Sequence, residues 1–404
     1  MTITCHRFYR DVDCQWLVTG DNVGVVRLHR ITINRTADRP TLNLSLKFML
    51  CQHKTPVQFV AYDVKNHLIA INMKSYSVIQ IYDAYDSKQK ICTLVPYSDV
   101  QYLEFTKDGL LYVTPPYLYC FGLPMFDLRV NYPIPFLSPS VNMSKIVYNC
   151  LTDTILIPLN SINARHEFSH ILAYNLSKNS HNIFQFPPSI FMSLSHDGTV
   201  FASVPYGGKV LNLNSFVNLR ELSQPAPETT LLKPSHIALD MSQSIPLVSS
   251  YTNQREISRS FFLESPSKIP QLPPLSAVTP QLSISRSITQ FKKLFGTPEK
   301  EIIAICLSPT NKHASMIHRA TIHLFGIHIP ESKDFQKMET THIRFDPNPI
   351  NKPDMRDAFI TQHDEFLLVL YGGGILSTFI LNGTAQPQNF LVDLNKIQSE
   401  PKSF

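Results

Sequence analysis

Glycine is scarce in this chain of 404 residues, which has 13 glycines against 30 prolines. Its turns must therefore be made mainly with Asn, Asp, Ser and Pro. The seven cysteines are scattered, odd in number and without a CxxC pair. This pattern is typical of reduced core residues in a cytosolic protein and gives no disulfide framework.

Long apolar runs and a secretion signal are also missing. The N-terminus, MTITCHRFYRDVD, carries charges where a signal peptide needs an apolar core. No uninterrupted apolar run reaches the roughly 18 residues of a membrane-spanning helix. The net charge of +5 permits an acidic partner such as a membrane surface, but it is too diffuse to indicate a nucleic acid. We expect a cytoplasmic protein that is at most peripheral to membranes and binds no nucleic acid.

The chain does contain a unit that returns about every 40–50 residues. Each unit has an apolar strand with period-two alternation, a polar turn such as Lys107-Asp108-Gly109, and two further strands. The clearest copies cover residues 57–83, 100–121, 189–216 and 358–381. One such unit cannot bury both of its faces and must stack on neighbours in a ring, so the repeat predicts an all-β, WD40-like β-propeller.

Eight segments resemble the unit, one more than the commonest propeller has. They lie near residues 3–33, 55–86, 98–131, 143–178, 185–218, 233–264, 300–330 and 356–383. We favour seven blades, with 301–329 supplying irregular strands around a seventh; eight blades are the alternative. We expect one domain over 1–385, a long loop rich in Pro and Ser at about 264–296, and a polar tail over 386–404.

The end of this loop, LSISRSITQFKKLFG (282–296), predicts a membrane contact. On a helix its apolar side chains form a narrow stripe and its cations lie off that stripe. The stripe contains Ile284, Ile288, Phe291 and Phe295, and the cations are Arg286, Lys292 and Lys293. Such a segment can lie in a bilayer interface with its cations toward anionic headgroups. The alternative is an outer blade strand over 287–294 with solvated lysines.

A literal H-E-x-x-H motif occurs at 166–170. On a helix, His166 and His170 would share a face and could hold zinc, with Glu167 as general base. Against a zinc hydrolase, Leu176 occupies the place of a third histidine, and the motif runs into SHILAYNL, which is typical of a blade strand. We therefore expect a protein that is not an enzyme, with no catalytic residue, metal or cofactor, and keep the hydrolase as the disfavoured alternative.

The order and spacing of the units over most of the chain resemble a known family. Residues 10–31, 100–121, 146–176 and 196–219 are similar to the first, third, fourth and fifth blades of the PROPPIN family. PROPPINs are seven-bladed propellers that bind phosphoinositides on autophagic and endosomal membranes. The resemblance implies that a loop after the sixth blade enters the bilayer, and 285–294 is the similar segment here.

The PROPPIN signature F-R-R-G is represented here by Leu219-Arg220-Glu221-Leu222. The resemblance implies that Arg220 binds a phosphoinositide headgroup, PI3P or PI(3,5)P2. Glu221 stands where the second arginine would serve another phosphate pocket, and a carboxylate there repels the ligand. The resemblance thus favours a peripheral phosphoinositide-binding adaptor of autophagy or endosomal trafficking, with protein partners on the propeller rims. The alternative is a WD-repeat scaffold that does not bind lipid.

Overall fold

The structure is a computed structural model, and its described residues form seven antiparallel sheets. It describes residues 2–11, 13–35, 41–51, 54–74, 76–85, 89–134, 146–160, 168–196, 198, 200–204, 212–215, 248–250, 302–307, 309, 313–318, 321–326, 340–344, 355–381 and 390–397. Within them, no helix is long and apolar enough to cross a membrane.

The first three sheets follow one another along the chain. Sheet 1 contains β1 (Ile3–Arg10), β2 (Gln15–Asp21), β3 (Val26–Asn34) and β4 (Thr41–Leu50). Sheet 2 contains β5 (Val57–Asp63), β6 (Leu68–Met73), β7 (Tyr76–Asp83) and β8 (Lys90–Leu94). Sheet 3 contains β9 (Tyr102–Phe105), β10 (Gly109–Thr114), β11 (Tyr117–Gly122) and β12 (Asp127–Pro133).

The remaining four sheets repeat the same up-and-down order. Sheet 4 contains β13 (Val147–Asn149), β14 (Thr154–Asn160), β15 (Phe168–Asn175) and β16 (Ser180–Ser189), and sheet 5 contains β17 (Phe191–Leu194), β18 (Val200–Val204) and β19 (Asn212–Ser215). A short strand, β20 (Val248–Ser250), pairs with β8 of sheet 2. Sheet 6 contains β21 (Ile302–Leu307), β22 (His313–His318), β23 (Thr321–Gly326) and β24 (Thr340–Arg344). Sheet 7 contains β25 (Met355–Ile360), β26 (Phe366–Tyr371), β27 (Ile375–Ile380) and β28 (Phe390–Asp393).

The seven sheets close into a ring with their first strands innermost. First strands contact each other from sheet 1 to sheet 2, from 2 to 3, and onward from 4 through 7. Sheets 3 and 4 share one apolar cluster, and sheets 7 and 1 share another. The backbone N–H of Ile3 also donates to the Gly372 carbonyl over 2.7 Å, which joins the two ends of the ring. The predicted seven-bladed β-propeller is confirmed.

Burial explains why the sequence predicts three strands of each unit but not the fourth. In β10 (GLLYVT) every residue is buried, because a middle strand packs against the neighbouring sheets on both faces. The outer strand β12 (DLRVNYP) has one buried residue among exposed and half-buried ones. An outer strand therefore lacks the apolar run that marks the inner three.

Three expectations about chain organisation change. Residues 301–329, expected to be irregular, supply the first three strands of the four-stranded sheet 6. The surplus segment is 233–264, of which the structure describes 248–250, and these residues extend sheet 2. Residues 390–393, assigned to the tail, form β28. Period-two alternation identifies a strand but does not say which sheet it joins, and four residues such as the FLVD of β28 are too few to show alternation. The single-domain division itself stays a prediction.

Candidate functional site on the inner strands

The residues predicted to contact lipid lie outside the described residues. This holds for Arg220 and for the segment that contains Ile284, Ile288, Phe291, Lys292, Lys293 and Phe295. The segment falls between the described strands of sheets 5 and 6, whereas the resemblance placed it after a sixth blade. Its membrane contact therefore stays a prediction, and the site geometry that can be described is that of the inner strands.

Strand β1 (ITCHRFYR) carries four cationic or aromatic polar residues on the inside of the ring, and its alternation sends them two ways. Arg7 and Tyr9 face sheets 2 and 3, whereas His6 and Arg10 face sheet 7. Each side of one strand therefore contacts a different neighbour.

On the first side, the charges pair across three consecutive sheets. The carboxylate of Glu104 on β9 lies 3.5 Å from Nε of Arg7 and accepts a 2.8 Å hydrogen bond from the Tyr9 hydroxyl. The Tyr9 oxygen in turn accepts a hydrogen bond from the backbone N–H of Tyr62, on β5. The Arg7 guanidinium also lies over the Tyr102 ring, 5.2 Å from its centroid. These contacts tie the inner strands of sheets 1, 2 and 3 together.

Burial affects the protonation of this set. The side chain of Glu104 is 11% exposed, and burial raises the pKa of its carboxyl group, which Arg7 and the Tyr9 hydroxyl partly offset. The charged form of Glu104 thus depends on its two partners. The arrangement fits a structural ion pair that crosses blade boundaries.

On the second side, the contacts run from sheet 1 to sheet 7. Nε2 of His6 lies 2.8 Å from the Asp357 carboxylate, and the Phe8 ring stacks on Phe359 at 4.7 Å. Arg10 donates from Nη2 to the Ile360 carbonyl over 3.2 Å and lies over the Phe359 ring, 4.3 Å from its centroid. Arg10 forms no ion pair with any described residue.

Three of the cysteines are too deeply buried to act as nucleophiles. All seven are free, and burial raises the pKa of the Cys5, Cys120 and Cys306 thiols to about 12, so they are protonated at neutral pH. The expectation that all seven are core residues is wrong for Cys51 and Cys150, which are exposed. The scattered spacing of the cysteines predicts that they form no disulfides, but it does not predict which of them are exposed to solvent.

The described part of the H-E-x-x-H motif lies in a strand and not in the helix from which this motif binds zinc. Phe168 through Asn175 form β15, in which His170 pairs with Leu159 on one side and Gln185 on the other. His166 and Glu167 lie outside the described residues. Among the residues that are described, no group of three or more His, Cys, Asp or Glu side chains could hold a metal ion. His170 is therefore part of a blade strand.

Sequence reasoning overlooked the charges of the inner strands. Each interrupts the apolar pattern of a first strand, as in the HRFYR of β1 or the YLEF of β9. A charge inside a buried strand is the signal that could have found them, since buried charges are rare unless they are paired.

Comparison with known proteins supports the fold. No known family model matches the chain, and no curated protein matches it in sequence. Hsv2 from Kluyveromyces lactis is similar in structure, with a TM-score of 0.56 at 12% identity, over 97% of this chain and 99% of that one. Hsv2 from Kluyveromyces marxianus has a TM-score of 0.53 at 9% identity, over 94% and 92%. A K. lactis Hsv2 with its loop 6CD replaced by a Gly-Ser linker also matches, with a TM-score of 0.53 at 12% identity over 97% of each chain. Hsv2 is a PROPPIN, so the divergent resemblance to that family is confirmed as a likeness of fold.

Proposed function

We propose that this propeller is not an enzyme and acts as a cytoplasmic, peripheral membrane adaptor that binds phosphoinositides on autophagic or endosomal membranes. The observation that carries the proposal is the ring of seven sheets, similar to Hsv2 along nearly the whole length of both chains. The inner strands support the proposal that the protein is not an enzyme, because their charges link blades and their buried thiols are protonated. Protein partners would bind the rims of the propeller.

Two elements of the sequence would make the lipid contact. Arg220 would bind one headgroup, PI3P or PI(3,5)P2, since a guanidinium fork matches phosphate oxygens. The segment 284–295 would lie in the interface, with Ile284, Ile288, Phe291 and Phe295 inserted and Lys292 and Lys293 drawn to anionic headgroups. Together they would supply one specific and one general contact with the membrane.

The insertion can be tested by replacing Phe291 and Phe295 with Ser. Because the two rings supply most of the buried aromatic area of the stripe, the double variant should no longer float with liposomes that contain phosphoinositide. The control is the double variant Phe291→Leu and Phe295→Leu, which keeps the stripe apolar and should float. Unchanged flotation of the Ser variant would exclude insertion through this segment.

The role of Arg220 needs a separate variant. Arg220→Ala should remove the preference for phosphoinositide liposomes and leave any binding to other anionic liposomes, because the stripe and its lysines are intact. An unchanged preference would exclude Arg220 as the headgroup ligand.

A protein scaffold without lipid binding is the second candidate. Glu221 and Leu222, which stand in place of an arginine and a glycine, favour it. In that case the wild-type chain would float with no liposome of any composition.

A further inference from the structure

Arg10 is the last residue of β1 and lies in the space that the inner strands enclose. Its guanidinium contacts Phe359 and Ile360 of sheet 7, and the N–H of Ile360 donates to Sγ of Cys306 on sheet 6 over 3.3 Å. The thiols of Cys306 and of Cys150, next to sheet 4, also act on Arg10 electrostatically, so its side chain lies toward the central channel. All these residues lie at or near the ends of first strands, so Arg10 lies at one mouth of that channel.

The positive charge of Arg10 is not neutralised by the described residues around it. Its five N–H groups include the donor to Ile360, whereas its buried Nε has no hydrogen-bond partner. Burial raises the pKa of the Cys306 thiol, and desolvation by the surrounding protein raises that of Cys150 although the residue is exposed, so both thiols are neutral. Asp364 acts on Arg10 electrostatically but forms no ion pair with it, and its effect is the weakest of the three.

Such an arrangement is costly for a guanidinium. Burial disfavours the charged form and lowers the pKa of Arg10, yet arginine stays protonated in proteins at any ordinary pH. A buried cation without a counter-charge destabilises a fold unless a ligand supplies one. The stack on Phe359 offsets part of this cost but leaves Nε without an acceptor.

We propose that Arg10 forms an oxyanion-binding site at this mouth of the central channel, which takes a phosphate group. The planar fork of the guanidinium suits two oxygens of a phosphate, and Nε is one of the two donors that such a bidentate contact uses. Arg10 is partly exposed and Cys150 is exposed, so the mouth is open to solvent. The site is separate from Arg220 and does not depend on the proposed lipid contact.

Titration of the full chain with inorganic phosphate tests the site. Binding is measured by thermal unfolding and by calorimetry, at a constant ionic strength set with NaCl. Phosphate should raise the Tm of the wild-type protein in a saturable manner, because it binds only the folded state. Arg10→Gln should weaken phosphate binding at least about tenfold, as expected for loss of a charged hydrogen-bonding partner. Arg129→Ala removes an arginine of the outer strand β12, whose side chain is 45% exposed, and is the matched control that should bind phosphate as the wild type does.

A second arm identifies the source of the phosphate group. Inositol 1,3-bisphosphate, the soluble headgroup of PI3P, is titrated in the same way. Tighter binding than inorganic phosphate, again lost in Arg10→Gln, would assign the site to a headgroup, and equal binding would assign it to free phosphate. Arg10→Lys guards against misfolding of the Gln variant: it keeps the charge, loses the fork and should bind with intermediate affinity. A wild-type protein that responds to phosphate no more than to chloride, or variants at Arg10 that bind as tightly as wild type, would overturn the proposal.

Discussion

Arg7 and Arg10 lie three residues apart on one strand, yet their surroundings differ. Arg7 faces sheets 2 and 3 and meets Glu104, which also holds Tyr9. Arg10 faces sheet 7 and meets a carbonyl and an aromatic ring, with no ion pair among the described residues. Arg7 thus has its anionic partner within the protein, whereas Arg10 lacks one among the described residues. The difference teaches that one arginine of β1 links neighbouring blades through an ion pair, whereas the other is left for a ligand.

His29 is a third basic residue of sheet 1, and it avoids a buried charge by remaining unprotonated. Its titration gives the largest expected change in stability. Burial, aided by the charge of Arg27, lowers the pKa of His29 to about 4, against a small opposing effect of the Leu394 backbone. The unfolded chain therefore binds a proton between pH 6.5 and about 4 that the folded one does not. Stability should fall by about 3 kcal/mol as the pH falls through this window.

Chemical denaturation at pH 7 and at pH 4.5 measures this effect, with His29→Leu as the comparison. The variant should lose the part of the pH dependence that His29 contributes. An identical pH dependence in both proteins would contradict the assignment. Histidine can avoid a buried charge by releasing its proton, which Arg10 cannot do.

Removal of Glu104 should break the self-contained arrangement of Arg7. Glu104→Ala leaves Arg7 and the Tyr9 hydroxyl without their acceptor and should lower the free energy of unfolding by about 2 kcal/mol. The cost is kept below that of a fully buried pair because the Arg7 side chain is 35% exposed. Urea denaturation gives the value.

A surface pair provides the control for that experiment. Arg129 lies 3.6 Å from Asp127, and their side chains are 45% and 61% exposed. Arg129→Ala should change stability by no more than about 0.5 kcal/mol. Equal effects at Glu104 and Arg129 would remove the distinction between inner and outer charges.

Arg10→Gln should have a smaller effect than Glu104→Ala when no phosphate is present. The variant loses the Ile360 hydrogen bond and the stack on Phe359 but no longer buries an unpaired charge, so the net change should be less than about 1 kcal/mol. Urea denaturation in phosphate-free buffer measures it. A loss as large as that of Glu104→Ala would mean that Arg10 has a structural partner equivalent to Glu104.

The smallest expected effect is on a thiol at the same channel mouth. Arg10 lowers the pKa of Cys150, although burial raises it overall. Alkylation of Cys150 by iodoacetamide should therefore be slower in Arg10→Gln, whereas the other exposed thiol, Cys51, should react at an unchanged rate. Peptide mass spectrometry separates the two rates. Equal slowing of both thiols would point to a general change in the fold.

The sequence predicted most of the ring because inner strands are marked by their own residues. Residues 57–83 become β5–β7 and 100–121 become β9–β11, with turns where the polar residues lie. The fourth strands were not predicted, since β12 mixes polar and apolar residues and β28 (FLVD) is only four residues long.

The inner charges could not be assigned from the sequence either. Glu104 and Arg7 are nearly one hundred residues apart in the sequence. Alternation within one strand does not predict which strand of another blade it contacts. The blade strand predicted at SHILAYNL is confirmed as β15, because alternation within one strand is a local signal. Local pattern thus determines the elements, whereas the pairing between blades depends on the closed ring.

The most direct test of the proposed function is flotation of the wild-type chain with liposomes that contain or lack PI3P and PI(3,5)P2, at equal total anionic charge and physiological salt. We expect flotation with the phosphoinositide liposomes and much less with the others, because one headgroup contact and the 284–295 segment must act together. Flotation with neither would contradict the membrane adaptor and leave a propeller that binds only proteins.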